Sequence, residues 1–176
     1  MPDPDGYVLI RGERLVLRRL RPEEIDSEWH QMVTSDPIAI AELPDETRFR
    51  ARLARSGRMH DGWLDLAVDL DGTAIGRIQT FVPPHRPTPP DTYTIGIGLR
   101  SAERGKGYGR EALALFTDWL FASAGASVVA APTDPANAPM RAVFERLHWS
   151  CVDTITDYDR EWVVYRITRH EWEART

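Results

Sequence analysis

Residues 104–109 read RGKGYG, with a glycine at every second position. The preceding residues 92–99 have the pattern of a strand, and apolar residues after Tyr108 recur at helical spacing as far as Ser123. Glycines allow backbone N–H groups to face an oxyanion with no Cβ in the way, and the N-terminus of a helix favours negative charge. These residues therefore predict a strand, an anion-binding loop and a helix in succession.

The loop is also a local concentration of positive charge. The chain has 22 basic and 27 acidic side chains and a formal charge of −5, and Lys106 is its one lysine. Arg104, Lys106 and Arg110 lie within seven residues of the chain. Such a cluster in an acidic protein indicates a ligand that carries more than one negative charge.

Two common phosphate-binding motifs do not fit the spacing of the loop. A Walker loop requires Ser or Thr directly after Gly-Lys, whereas the lysine here is followed by glycine. A dinucleotide fingerprint that begins at Gly105 or Gly96 needs glycine or alanine five positions later, where the chain has Arg110 or Ser101. The loop is neither of these motifs.

The periodicity on both sides of the loop predicts one mixed α/β domain, residues 1–176, with seven strands and four helices. The predicted strands cover about 15–20, 64–70, 75–81, 92–99, 127–131, 154–158 and 162–168, and the predicted helices cover 22–33, 45–56, 108–123 and 137–147. Asp71-Gly72 indicates a hairpin, and the Pro-rich residues 83–90 indicate an exposed loop. The arginines of the second helix, Arg48, Arg50, Arg52 and Arg55, are expected to form a solvated face.

The composition excludes several classes of protein. A length of 176 residues fits one domain, and 42% hydrophobic residues can fill a core, which excludes a disordered chain. The excess of acidic residues argues against a nucleic-acid partner, and no apolar run approaches the roughly 20 residues of a membrane span. Because the first residues form neither a basic leader nor an apolar run, the protein is expected in the cytoplasm.

Cys151 is the single cysteine, so it forms no intramolecular disulfide and builds no cysteine-ligated zinc site. A reducing compartment and the absence of a metal are expected. We predict that Cys151 is a small buried residue rather than a nucleophile.

The loop resembles the acetyl-coenzyme A (acetyl-CoA) signature of the GNAT N-acetyltransferase family, in which Arg or Gln is followed by two residues, Gly, one residue, and Gly or Ala. Residues 94–99 are similar to the splayed fourth strand of that family, and residues 137–147 are similar to its second cofactor element. Residues 15–20 and 165–172 are similar to the branch that includes ribosomal-protein N-terminal acetyltransferases. The resemblance covers essentially the whole chain.

The resemblance implies the GNAT acyl-CoA N-acyltransferase fold, a mixed sheet of six to seven strands flanked by about four helices. It implies direct transfer of an acetyl group from acetyl-CoA to a primary amine of a small molecule, such as an antibiotic, or of a protein N-terminus. The enzyme would be a monomer or a homodimer.

The cofactor site that the resemblance implies has three parts. The loop would hold the pyrophosphate through its backbone, the preceding strand would pair with the pantetheine arm, and the helix after residue 137 would face that arm. The implied cofactor-binding residues are Ile97, Gly98, Leu99, Arg104, Gly105, Lys106, Gly107, Tyr108, Gly109, Arg110, Asn137, Arg141 and Phe144. Asn137 fits the N-cap of a helix equally well.

The catalytic residues stay unknown, because this chain differs from the family at two positions. Many members have a tyrosine, as general acid, at the position of Phe144, and many in the ribosomal-protein branch have a glutamate at the position of Thr94. Either positioning of the reactants and water relays suffice for catalysis, or other residues of the chain supply the general acid and base. Residues near the expected cleft in sequence are Asp91, Tyr93, His85, Ser150 and Tyr158. The alternative function is an acyl-CoA-binding sensor or partner protein without turnover.

The acceptor side is expected at the Pro-rich loop and the two N-terminal helices. Four acidic residues there are candidates for a rim that attracts a cationic amine: Asp36, Glu42, Asp45 and Glu46. Acidic residues at helix starts also act as caps, so the rim and the caps remain alternatives.

Overall fold

The computed structural model describes residues 5–35, 45–81, 89, 91–157 and 159–175. The Pro-rich loop apart from Pro89, and the candidate residues Asp36, Glu42, His85 and Tyr158, lie outside the described residues.

The described residues form eight strands and five α-helices. In chain order these are β1 (Ile10–Arg11), β2 (Leu15–Arg18), α1 (Pro22–Ser35), α2 (Glu46–Ala54), β3 (Leu64–Leu70), β4 (Thr73–Phe81), β5 (Thr92–Leu99), α3 (Tyr108–Ser123), β6 (Val128–Thr133), α4 (Ala138–Arg146), β7 (Ser150–Asp157), β8 (Arg160–Thr168) and α5 (Arg169–Glu173). A 3₁₀ turn, Ser101–Glu103, lies between β5 and the glycine-rich loop.

The strands form one sheet in the order β1-β2-β3-β4-β5-β6-β8-β7. All neighbouring strands are antiparallel except β5 and β6, which are parallel as the strand–helix–strand unit predicts. The predicted α/β class with a mixed sheet is confirmed, but the sheet has eight strands rather than six to seven. The additional strand β1 is two residues long, too short to show a period in the sequence.

Helix α5 is a second element that the periodicity did not predict. It is five residues long, and Thr168 and Glu171 form a capping box at its start. Trp172 is buried and contacts Phe121 of α3, with ring centroids 6.3 Å apart. This contact fixes the end of the chain against the core.

The two faces of the sheet carry different helices. Leu64, Leu66 and Val68 of β3 face the larger core, to which α3 and α4 contribute Phe116 and Phe144. The intervening residues of β3 point to the opposite face, because side chains alternate along a strand. There Ala67 and Ala74 pack against Phe49 and Leu53 of α2 and against the apolar side of α1.

The sheet opens between its two parallel strands. Residues Thr92–Thr94 of β5 pair with Val128–Ala130 of β6, and no pairing follows beyond that point. Strand β5 continues along β4 as far as Leu99, while β6 continues along β8 as far as Thr133. The strands therefore diverge into a cleft directly before the glycine-rich loop.

Within the described part of the chain, no helix has the length and apolar character that crossing a membrane requires.

Candidate functional site

The glycine-rich loop turns at two glycines with left-handed backbone. Gly105 has φ +76° and Gly107 has φ +86°, a region that strains residues with a side chain. Gly107 is the N-cap of α3, and no side chain caps the helix there. A Cβ at Gly105 would meet no atom within 4 Å. The loop is therefore shaped by glycine and open on its outer side.

The loop presents a run of backbone N–H groups toward this open side. The N–H of Glu111 donates to the carbonyl oxygen of Gly107 at 3.2 Å, which begins the hydrogen-bonding of α3. Within the described ranges, the N–H groups of residues 105–110 donate to no protein acceptor. Unpaired N–H groups at a helix N-terminus attract phosphate oxygens through direct hydrogen bonds and through the helix dipole. The loop fits a pyrophosphate.

A carboxylate in the first turn of α3 holds the loop against the turn between β1 and β2. Glu111 accepts hydrogen bonds from the backbone N–H of Arg14 at 2.8 Å and from that of Leu15 at 3.1 Å. The Nε of Arg14 donates to the second carboxylate oxygen at 2.8 Å. Burial favours a raised pKa of Glu111, but these donors outweigh it and hold the pKa below its ordinary value.

Arg14 contacts the loop directly, although no pattern in the sequence indicated a role for it. Its guanidinium donates to the carbonyl oxygen of Lys106 at 3.3 Å and lies over the ring of Tyr108, 4.8 Å from the centroid. Arg14 and Arg110 also line a surface cavity of about 230 Å³ beside the loop. The contact joins residues 92 positions apart, so no local pattern could have revealed it.

The cations of the loop itself have different roles. The Nε of Arg104 turns back and donates to the carbonyl oxygen of Leu99 at 2.9 Å, which caps the end of β5. The Nζ of Lys106 lies 3.0 Å from Glu103, and half of its side chain is exposed. Arg110 is exposed on the first turn of α3. Most of the positive charge at the loop thus faces solvent.

Strand β5 has a free edge along the cleft. The N–H of Arg100 donates to Ile75 of β4 at 2.9 Å. Because the direction of N–H groups alternates along a strand, the N–H groups of Ile97 and Leu99 point away from β4 and into the cleft. An extended ligand can pair with this edge as an added strand would.

Helix α4 approaches the cleft from the β6 side. The side chain of Asn137 accepts a hydrogen bond from the N–H of Met140 at 3.2 Å, which confirms the predicted N-cap. Arg141 donates to the carbonyl oxygen of Pro135 at 3.1 Å and to the hydroxyl of Tyr165 at 3.2 Å. The glycine-rich loop and the free edge of β5 lie on one side of the cleft, and β6, which α4 follows in the chain, lies on the other.

A comparison with protein families finds that the acetyltransferase (GNAT) domain matches residues 14–150. The chain belongs to the GNAT acetyltransferase family. The family assignment made from the glycine-rich loop and its flanking elements is thus confirmed. Among curated proteins, none matches the sequence significantly.

The GNAT fold is also shared with solved structures. An acetyltransferase (GNAT family) from Bacillus anthracis has a TM-score of 0.73 at 22% identity, and the alignment covers 93% of this chain and 100% of that one. Mycobacterium smegmatis RimJ in complex with CoA-disulfide has a TM-score of 0.69 at 19% identity, with 94% and 88% covered. The aminoglycoside acetyltransferase AAC(6')-Ib in complex with coenzyme A has a TM-score of 0.73 at 19% identity, with 92% and 99% covered.

Phe144 and Thr94, where the resemblance led us to expect a tyrosine and a glutamate, are both buried. Phe144 lies in the core, stacked on Tyr165 with ring centroids 4.9 Å apart. Tyr165, for which no sequence pattern indicated a role beside α4, has its hydroxyl near Phe144 and donates a hydrogen bond to Glu145 at 3.2 Å. Thr94 is buried, and its carbonyl oxygen accepts a hydrogen bond from Thr80 at 3.0 Å.

Three of the candidate residues that we expected near the cleft are among the described ones. Tyr93 and Asp91 form hydrogen bonds within the fold, and Ser150 lies on the edge strand β7. The hydroxyl of Tyr93 donates to Ala124 at 3.0 Å, and the carbonyl oxygen of Asp91 accepts from the N–H of Ser127 at 2.9 Å. Ser150 is exposed at the start of β7.

The prediction that Cys151 is buried is wrong. Cys151 is an exposed free cysteine. It lies on β7, the edge strand of the sheet, whose residues from 150 to 154 are all exposed. Alternation along a strand buries a residue only where a helix covers that face, and the sequence could not show that β7 is uncovered.

Two members of the predicted acidic rim serve α2 instead. Asp45 is its N-cap and accepts a hydrogen bond from the N–H of Arg48 at 3.0 Å. Glu46 lies 2.7 Å from Arg50. Among the described residues, no group of three or more His, Cys, Asp or Glu side chains could hold a metal ion.

Proposed function

We propose that the protein is an acetyl-CoA-dependent N-acetyltransferase that transfers the acetyl group directly to a primary amine. The observation that carries the proposal is the run of unpaired N–H groups at residues 105–110, placed at the end of a cleft between diverging strands. Membership of the GNAT family and the CoA-bound state of similar structures support the choice of acetyl-CoA as the acyl donor. The whole chain, residues 1–176, would form one such domain.

The residues proposed to bind the cofactor are those implied by the sequence. The N–H groups from Gly105 to Arg110 hold the pyrophosphate, and the exposed charges of Lys106 and Arg110 add attraction. The free edge of β5 at Ile97 and Leu99 pairs with the pantetheine arm, while the start of α4 bounds it from the other side. Gly98 presents no side chain there.

Acetyl-CoA supplies an activated acetyl group through its thioester. The chain positions that group at the splay of β5, where backbone N–H groups stabilise the negative charge that develops on the carbonyl oxygen. The acceptor amine attacks as the neutral base, so the site must remove a proton from it and allow one to reach the departing sulfur. Strand β5 and the loop hold the reactants in place, and such positioning lowers the activation free energy by roughly 7 kcal/mol or more in favourable cases.

The proposed acceptor is a small-molecule amine or the N-terminus of a protein. Solved structures of similar fold include AAC(6')-Ib with ribostamycin and with kanamycin, and a RimJ. Sequence identity to them is 20% or lower, so the choice between the two acceptor classes rests on experiment. We further propose a cytoplasmic enzyme that acts as a monomer or a homodimer, with no nucleic-acid partner.

The test is release of free thiol from acetyl-CoA in the presence of a panel of amines. The panel contains aminoglycosides, small primary amines and peptides with free N-termini, and mass spectrometry identifies the acetylated product. Acceptor-dependent thiol release with any member supports the proposal.

A second candidate function is an acyl-CoA-binding sensor without turnover. The observation that favours it is that Phe144 and Thr94 replace the usual tyrosine and glutamate and are both buried. Tight coenzyme A binding by calorimetry with no acceptor-dependent thiol across the panel would establish this function and exclude the first.

A further inference from the structure

A cluster of charged side chains is buried between the sheet and helices α1 and α2. At its centre lies Asp65 of β3, which is 1% exposed. Arg77 of β4 approaches one carboxylate oxygen at 2.5 Å, and Arg52 of α2 approaches the other at 3.2 Å. The prediction that Arg52 belongs to a solvated face is therefore wrong, because this arginine turns inward to Asp65. Its burial lowers the pKa of Arg52.

Glu28 of α1 lies at the edge of this cluster nearest to β5. Its carboxylate is 3.3 Å from the Nε of Arg77. Arg100, directly after β5, binds the neighbouring residue of the helix through the hydroxyl of Ser27 at 3.1 Å and acts electrostatically on Glu28. Glu28 is thus held between a cation on β4 and a cation at the end of β5.

The residue of β5 between these two cations is Gly98. Gly98 is paired with Arg77 across the sheet, so both positions point to the face that α1 covers. A Cβ at Gly98 would meet no atom within 4 Å. An open space therefore lies over Gly98, on the face of the sheet where Arg77 contacts Glu28.

This open space adjoins the cleft between β5 and β6. Gly98 belongs to residues 95–99, the part of β5 that has left β6. Its neighbours Ile97 and Leu99 supply the free edge on which the proposed function places the acyl donor. An amine that enters over Gly98 would approach the cleft from the face of the sheet that carries Glu28.

The electrostatics of Glu28 differ from those of Glu24, one helical turn earlier. Burial, with a smaller contribution from the negative charge of Asp65, raises the pKa of Glu28, and although Arg77 and Arg100 act in the opposite direction they do not cancel the effect. Burial also favours a raised pKa of Glu24, but hydrogen bonds from Arg18 and Arg21 outweigh it and lower the pKa. Glu24 is a structural ion-pair partner, whereas Glu28 retains affinity for a proton.

We propose that Glu28 is the proton acceptor for the amine in the transfer reaction. This inference rests on the proposed function. The bound alkylammonium first passes one N–H proton to the carboxylate of Glu28, directly or through one water, which leaves a neutral amine. The nitrogen of this amine then forms its bond to the acetyl carbonyl carbon, the C–S bond breaks with its electron pair on sulfur, and the proton that the nitrogen loses reaches the sulfur through water to give the free thiol. Glu28 then returns its proton to solvent.

The first experiment compares wild type, Glu28→Gln and Glu28→Asp with an exposed control on the same helix, Asp26→Asn. Asp26 is 75% exposed and forms an ion pair with Arg50 of α2 rather than with a residue of β5. Loss of a general base lowers kcat by about a hundredfold or more. We expect that loss for Glu28→Gln, partial recovery for Glu28→Asp, and no change for Asp26→Asn or in the Kd of coenzyme A. Wild-type kcat in Glu28→Gln overturns the proposal.

A second comparison separates proton removal from a structural effect. Hydroxylamine is uncharged at neutral pH and needs no base before it attacks, whereas an alkyl primary amine is protonated. Glu28→Gln should lose activity toward the alkyl amine and retain it toward hydroxylamine. The rise of wild-type activity with pH through the pKa of Glu28 should also disappear. Equal losses with both nucleophiles would mean that Glu28 only maintains the structure and would overturn the proposal.

A third measurement does not depend on turnover. In carbon NMR of the side-chain carboxyls, Glu28→Gln identifies the signal of Glu28 by its absence. We expect this carboxyl to titrate above the exposed glutamates of the same chain, and titration at or below them overturns the proposal. Wild type that is inactive on every amine refutes the proposed function, whereas active wild type with an equally active Glu28→Gln refutes only the role of Glu28.

Discussion

Glu111 of α3 accepts hydrogen bonds from both the backbone N–H and the Nε of Arg14, each at 2.8 Å. The two residues are 97 positions apart, and the contact ties the first turn of α3 to the turn between β1 and β2. Arg14 in turn holds the carbonyl oxygen of Lys106. The anion-binding loop is therefore positioned by the opposite end of the chain as well as by its own glycines.

Glu111→Ala should destabilise the protein by about 2 kcal/mol at neutral pH, because it removes charge-assisted hydrogen bonds and leaves their donors unpaired. The pKa of Glu111 is lower in the folded protein than in the unfolded chain. Its stabilisation is therefore complete above the unfolded pKa and is lost as pH falls through the folded pKa. Urea denaturation of wild type and variant should converge in acid.

The control for this prediction is Glu46→Ala, which removes an exposed carboxylate that pairs with Arg50 on α2. An exposed pair contributes about 0–1 kcal/mol, so this variant should differ little from wild type. If Glu111→Ala behaved like Glu46→Ala at every pH, the contact with Arg14 would be unimportant for stability.

Gly107→Trp should abolish coenzyme A binding in calorimetry, because the indole occupies the space that the phosphates need. The matched control is Gly72→Trp in the turn between β3 and β4, since Gly72 and Gly107 both have φ +86°. The strain of a left-handed side-chain residue costs about 1–2 kcal/mol at either site. Both variants should lose similar stability, and only Gly107→Trp should lose binding. Retained binding would contradict the assignment of the loop.

Lys106→Ala should weaken coenzyme A binding about fivefold, or about 1 kcal/mol. The side chain is half exposed and its charge is partly neutralised by Glu103 at 3.0 Å. The backbone N–H of residue 106 survives the substitution, so most of the interaction with phosphate remains. A loss of a hundredfold or more in calorimetry would show that the ammonium group, not the backbone, dominates binding.

Gly98→Val should leave the free energy of unfolding nearly unchanged while it raises the KM for the acceptor. A Cβ at Gly98 meets no atom within 4 Å, and valine suits a strand, but its methyl groups enter the open space through which the acceptor is proposed to pass. Gly76→Ala provides the contrast, because a Cβ there would lie 2.2 Å from the carbonyl oxygen of Gly98. That overlap should cost about 1–3 kcal/mol in denaturation. An unchanged acceptor KM in Gly98→Val would place the acceptor elsewhere.

Glu28→Gln should be at least as stable as wild type at neutral pH. The pKa of Glu28 is raised in the folded protein, so its favourable contribution is complete below the unfolded pKa and is lost as pH rises through the folded pKa. Glutamine removes the buried charge, and Arg77 keeps its contact with Asp65. Thermal unfolding of both proteins across pH tests this prediction. If the variant loses stability relative to wild type as the pH rises from acid to neutral, the pKa of Glu28 is not raised in the folded protein.

Much of the fold follows from local patterns. The predicted helix from Tyr108 to Ser123 is observed with those bounds, because its apolar period and the glycines before it are local signals. The hairpin at Asp71-Gly72 and the N-cap at Asn137 depend on neighbouring residues in the same way. Strand β1 and helix α5 were missed because elements of two and five residues carry no period.

The side chains that the sequence analysis missed are those defined by distant partners. Arg14 reaches a loop from 92 positions away, and Tyr165 reaches Arg141 from 24 positions away. Glu28 acquires its role from Arg77, 49 positions later. In the sequence each of these residues is an ordinary member of a turn, a strand or a helix.

Contiguous residues are enough to predict the glycine-rich loop and the mixed α/β class, because glycine conformation and periodicity are local properties, and the same residues carry the resemblance to the family. Which charges are buried together follows from the packing of distant elements. Strand order brings β4 and β5 side by side, so that Arg77 lies opposite Gly98 in the sheet and contacts Glu28 of α1. Burial and charge pairing depend on distance in space, and the pKa of a carboxylate follows from those neighbours rather than from its position in the chain.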